Sequence, residues 1–156
     1  MKNVLVPVEL HSSIDSVLVT SLLFARRFGS YMEGMPLGPD LPDLVAFDMP
    51  VSWTAADQNT WRELAEESQR RFTDFMVGEK VPANSDVAHE LSWGWAGEAA
   101  YGDSQVASYA RIFDVTVLGR PGPERGDARM ATAEANLFES GRPVLLAPPH
   151  APQVMG

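Results

Sequence analysis

The chain has 156 residues, 45% of them apolar and 21% charged, with a formal net charge of −9 and no cysteine. This is the composition of one globular domain able to bury a core. It excludes disulfides, zinc–cysteine sites and thiol catalysis, and it disfavours nucleic acid as a partner because no basic face tracks phosphates.

No apolar run approaches the roughly 20 residues of a membrane span, and the N-terminus lacks a basic segment followed by an apolar one. The expected location is the cytoplasm, with no membrane partner. Residues 1–150 read as a single domain and 151–156 as a C-terminal tail.

Residues 3–8 (NVLVPV) form an apolar run without polar alternation, which predicts a strand buried on both faces. Ser12 or Ser13 is a suitable N-cap for a helix that carries Ile14, Val17, Leu18, Ser21, Leu22, Ala25 and Phe28 at helical spacing. Gly29 ends that helix after Arg26 and Arg27, and residues 31–35 make a second strand.

Residues 36–54 contain Pro36, Pro39, Pro42 and Pro50 with Gly38 among them, a pattern that rules out a regular helix or central strand. A connection this long is a lid, a packed loop or a mobile segment. Leu41, Leu44, Val45, Phe47 and Met49 argue that part of it packs down or covers something. A helix over residues 57–77 follows, with Trp61, Leu64, Ala65, Phe72, Phe75 and Met76 as its buried stripe.

Residues 87–93 (VAHELSW) alternate as a strand at or near an edge. A shorter helix over 103–112 turns Val106, Tyr109 and Ala110 inward. Residues 112–118 (IFDVTVL) are again a strand, broken by Gly119-Arg120-Pro121-Gly122. A helix over 128–140 and a last strand, Val144–Ala147, complete the chain. The alternation predicts an α/β fold, a five-stranded parallel sheet with helices on both faces in Rossmann-like arrangement.

In such a sheet the carboxyl ends of the strands share one side, and ligands bind there. The loop after the first strand (Pro7, Val8, Glu9, Leu10, His11, Ser12, Ser13) and the glycine turn at 119–122 then face one crevice. Glu9 is placed to accept from a ribose diol, or is a solvated loop acid; Ser12 serves a ligand or a cap. Glycine lets backbone N–H groups approach an anion, and Arg120, Arg125 and Arg129 lie nearby to add charge-assisted contacts, or are solvated in a plain connector.

His11, His89 and His150 share no ligand spacing, so no metal site is expected. No serine sits in a Gly-x-Ser-x-Gly elbow. Trp53, Trp61, Trp93 and Trp95 read as core and loop packing.

NVLVPV with its serine-rich loop and a helix ending ARRFG, then VTVLGRPG, then LFESGRPVLLAPP together resemble the universal stress protein A family. Residues 36–100 match in layout, not in motif. The family fold is a five-stranded parallel α/β sheet, and many members bind ATP. The resemblance implies an adenosine pocket from Pro7, Val8 and Glu9, from Leu37 at the end of the second strand, and from Leu118 and Gly119.

The family phosphate loop runs Gly-x-x-Gly, nine residues, then Gly and Ser or Thr. Gly119 and Gly122 match its first half; nine residues on stands Thr132-Ala133, and counting back from Pro143 gives Met130-Ala131, so the second glycine is lost in either alignment. Glu9 replaces the family aspartate, and Pro36 removes a backbone donor near the adenine position.

These departures predict a stress-response protein that acts by binding and association, with weak or absent ATP binding and no fixed cofactor. The rival reading keeps ATP or a smaller adenine nucleotide in the crevice, with arginines replacing the missing donors. A slow ATPase or phosphotransferase would need a metal-holding group, a cationic clamp and a nucleophile, and no complete set is visible. The closing residues resemble the end of the first half of tandem stress proteins. An apolar last strand at an edge predicts pairing through Val144–Ala147, in a homodimer or with a tandem second domain.

Overall fold

The computed structural model describes residues 1–38, 55–84, 90–97, 102–124 and 126–154. Residues 39–54, and with them most of the proline-rich loop and Trp53, lie outside the described residues, as do His89 and Arg125. In chain order the elements are β1 (Asn3–Val8), α1 (Ile14–Phe28), β2 (Tyr31–Pro36), α2 (Ala55–Gly78), β3 (Ser92–Trp95), α3 (Asp103–Ala110), β4 (Val115–Gly119), α4 (Met130–Glu139) and β5 (Val144–Ala147).

All five strands are parallel, in the order β3-β2-β1-β4-β5. Strand β1 is central, as its unbroken apolar run requires: Val4, Leu5, Val6 and Val8 are all fully buried. Val4, Val6, Val8, Met32, Val115 and Val117 turn to one face, where Val17, Leu18, Leu22 and Ala25 of α1 and Phe72 and Met76 of α2 cover them. Leu5 and Met35 turn to the other, against Val106 and Ala110 of α3 and Phe113 beyond it. Each such burial contributes about 1.5–3 kcal/mol against leaving the side chain exposed.

Local chemistry sets the element ends. Gly29 takes the left-handed conformation (φ 59°) and its N–H closes α1 on the Ala25 carbonyl. Ser13 holds the N-cap position of α1, but its hydroxyl makes no capping bond; it meets Nδ1 of His11 at 3.1 Å. The stripe of α2 differs at one point from its spacing. Leu64 is exposed and Ser68 is buried, because the helix turns Trp61, Ser68, Phe72 and Met76 inward. Trp93 and Trp95 pack on Phe72, with ring centroids 5.8 and 5.6 Å away.

Strand β3 spans Ser92–Trp95 and is an edge strand; of the strand expected over 87–93, residues 87–89 lie outside the described residues and 90–91 are not strand. Gly94 and Trp95 continue its pairing with Glu33 and Gly34 of β2. Helix α3 ends at Ala110, where the Phe113 N–H turns back to the Ala110 carbonyl and leaves Ile112 exposed. Strand β4 starts at Val115, after Asp114 has given its N–H to the Asn3 carbonyl and its carboxylate to the N–H groups of Lys2 and Asn3. Helix α4 starts at Met130, since Ala128 is bridged to Pro121 instead.

Candidate functional site

The strand order runs outward from β1 in both directions, so the ends of β1 and β4 flank the place where the topology switches. The loops after these two strands, residues 9–13 and 120–129, meet there: the Ser12 N–H donates to the Gly126 carbonyl at 2.9 Å. The predicted pocket residues Pro7, Val8, Leu118 and Gly119 are the strand ends themselves, all buried. Val8 spends its side chain on the core. Leu37, just after β2, packs beside Leu5 and Met35.

Glu9 is neither a free loop acid nor an open acceptor. Its carboxylate lies 2.9 Å from Nε of Arg129 and accepts the Arg129 backbone N–H at 3.3 Å. The Nε–H is not aimed along that contact, so the pair is ionic rather than a directed hydrogen bond there. The same guanidinium donates through Nη2 to the Gly38 carbonyl at 2.9 Å and lies 3.5 Å from Oδ1 of Asp103. Burial pushes the Glu9 carboxyl above the ordinary range; the Arg129 charge opposes this and the Asp103 charge adds to it.

Thr132 lies in the first turn of α4 and is buried, with its hydroxyl on Asp103 Oδ1. The second oxygen of Asp103 has no hydrogen-bond partner although the residue is only 6% exposed. Arg120 and Gly122 are exposed on the loop.

The glycine turn is occupied by the protein itself. A β-carbon on Gly119 would fall 2.7 Å from Cε1 and Nε2 of His11 and 2.8 Å from Cβ of Ala128. One on Gly122 would collide with the Asp127 carboxylate, which accepts the Glu124 N–H at 3.0 Å. Nδ1 of His11 accepts the Ser13 N–H at 3.1 Å, which fixes the neutral tautomer with the proton on Nε2. Burial holds the imidazole below its ordinary pKa, against the pull of Asp127.

Asp103, Asp127 and the Gly38 carbonyl were not singled out by sequence as site groups. Asp103 reads there only as the start of a helix, and Asp127 belongs to no motif. What joins them to Glu9 and Gly122 is the tertiary meeting of segments remote in the chain. Around the strand ends the N–H groups of Ser12, Ser13, Glu124 and Arg129 are answered by the Gly126 carbonyl, His11, Asp127 and Glu9.

A parallel sheet of this order, with its strand ends meeting between β1 and β4, matches the fold of solved universal stress proteins. The sequence matches no protein-family model and no curated protein. Solved structures do match. A universal stress protein from Archaeoglobus fulgidus superimposes with a TM-score of 0.60 at 14% identity, over 95% of this chain and 94% of that one. The universal stress protein UspA from Lactobacillus plantarum gives 0.60 at 17% identity, over 94% and 97%. The universal stress protein from Archaeoglobus fulgidus in complex with dAMP gives 0.55 at 12% identity, over 95% and 98%.

Proposed function

We propose that this chain is a universal stress family protein of the cytoplasm that serves the stress response by binding and association, without turnover. Its strand-end crevice takes ATP weakly or not at all. One observation supports this reading: four N–H groups of the loops beside the glycine turn are spent inside the protein. Those of Ser12, Ser13, Glu124 and Arg129 go to Gly126, His11, Asp127 and Glu9. A phosphate entering here would have to replace these bonds and accept the repulsion of two carboxylates. Isothermal titration with ATP and Mg²⁺ tests it, and micromolar or tighter binding overturns it.

Association is proposed through β5. Among the described residues the strand pairs with β4 alone, and Leu146 is 43% exposed on it. An apolar edge of this kind is stable when a second copy covers it.

A second reading, a regulator that holds an adenine nucleotide, is favoured by the dAMP complex of the Archaeoglobus fulgidus protein and by the exposed Arg120 beside the glycine turn. Nucleotide released on denaturing the purified protein would support it. Affinity lost in Gly119→Val but unchanged by alanine at Arg120, Arg125 and Arg129 would remove the arginines from it.

A further inference from the structure

We propose that the outward apolar stripe of α4, carried by Met130, Leu137 and Phe138, is an interface for a second copy of this chain, continuous with the edge of β5 and anchored by Phe138. This rests on the association through β5 proposed above and puts its main contact on the helix.

A helix that covers a sheet ordinarily turns its apolar stripe to the sheet and its polar side to water. Helix α4 does the reverse. Its buried residues are Thr132, Ala133 and Asn136, with Ser140 just after its end. Among the described residues, none of α4 belongs to either apolar cluster of the core. The inward polar groups bond along the helix instead: Nδ2 of Asn136 donates to the Thr132 carbonyl at 2.9 Å, and the Ser140 hydroxyl to the Asn136 carbonyl. Met130, Leu137 and Phe138 are 58%, 54% and 82% exposed, and no large apolar side chain among the described residues is more exposed than Phe138.

Helix geometry places the stripe. Helix α3 meets α4 at Thr132 and Glu139, where Asp103 accepts the Thr132 hydroxyl and Arg111 donates to the Glu139 carbonyl at 3.1 Å. Met130 and Leu137 stand two residues earlier, about 200° round the axis. They therefore face away from α3, on the flank toward β5. On β5, Leu145 packs against the core on the α1 face. Alternation then puts Leu146 on the α4 face. Stripe and strand edge form one surface.

Area and charge name a second copy as the occupant. A stable dimer buries about 800 Å² per partner. The four-residue edge of β5, with Leu146 its one exposed large apolar side chain, offers less; an aromatic side chain adds about 150–250 Å². The chain carries a net charge of −9, so two copies meet most easily where charge is sparse. Glu134 is the single charge on the stripe. Contiguous exposed apolar surface marks an interaction site, and aromatic residues are enriched at the centre of such sites.

The test is sedimentation equilibrium of the full chain over a concentration series, for wild type, Phe138→Ser, Leu146→Lys and Leu64→Ser. Leu64 is an exposed leucine of α2, on the other face of the sheet, and serves as the control. Phe138→Ser is expected to weaken the dimer at least tenfold and to leave the urea stability of the monomer unchanged, while Leu64→Ser changes neither. Leu137→Ser serves should Phe138→Ser not fold. A dimer that Leu146→Lys breaks and Phe138→Ser leaves intact overturns the helix interface and keeps association through β5. The opposite pattern keeps the helix interface and overturns pairing through β5. A wild type that is monomeric throughout overturns both. Loss of monomer stability in Phe138→Ser with no change in dimer affinity shows that the chain itself uses this ring, and overturns the proposal.

Discussion

The imidazole of His11 lies across the bare Cα of Gly119, so close that a β-carbon would stand 2.7 Å from two ring atoms. The ring comes from the loop after β1, the glycine from the end of β4. The contact therefore joins the loop after β1 to the end of β4.

Gly119→Ala is expected to destabilise the protein by about 1–3 kcal/mol, the usual cost of overpacking a filled site. Ala128 Cβ, 2.8 Å away, cannot rotate aside as the histidine can. The cost should shrink in a His11→Ala background, which a double-mutant cycle by urea unfolding measures. Equal costs in both backgrounds would show that the ring is not the wall.

His11 also imposes a pH dependence. Burial lowers its folded pKa below the ordinary 6.5, so the unfolded chain binds the proton more readily. Above that value the group is neutral in both states and contributes no slope. As pH falls through 6.5 the unfolded state charges first, and stability is lost. His11→Gln should lack this loss. Parallel stability curves for the two proteins between pH 7.5 and 5 would disprove it.

Thr132→Val should cost about 1–3 kcal/mol, because it takes the hydroxyl donor from a buried carboxylate. Thr132→Ser, which keeps the donor, should recover most of that. If serine is as damaging as valine, lost packing and not the hydrogen bond explains the effect.

Leu146→Lys should convert a dimer to a monomer by light scattering, since it places charge on the exposed edge of β5. A wild-type protein that is monomeric at every concentration tried would remove association through this strand.

The fold was legible because its signals are local. NVLVPV announces a strand covered on both faces, Gly29 ends α1 in the left-handed conformation, and β5 occupies its predicted bounds. Where tertiary pairing decides, local signals fail. Alternation put a strand over 87–93, yet β3 is set by pairing with β2 and by the seat of Trp95 on Phe72. The site divides in the same way. The glycine turn can be seen in the sequence. The side chains that fill it cannot, because Asp127 follows a turn of unspecified length and Glu9 meets Arg129 only when α4 is docked.

Arg129 touches Glu9 after β1, the Gly38 carbonyl after β2, and Asp103 at the start of α3. These segments lie far apart along the chain, so their contacts reward ordering only once most of the sheet is assembled. Interactions absent from the folding transition state govern how fast a protein opens, not how fast it forms. In a chevron plot, Arg129→Ala should raise the unfolding limb at unchanged slope while the folding limb stays in place. A shifted folding limb would instead put Arg129 in the nucleus. On this view one side chain at the crevice sets the lifetime of the native state.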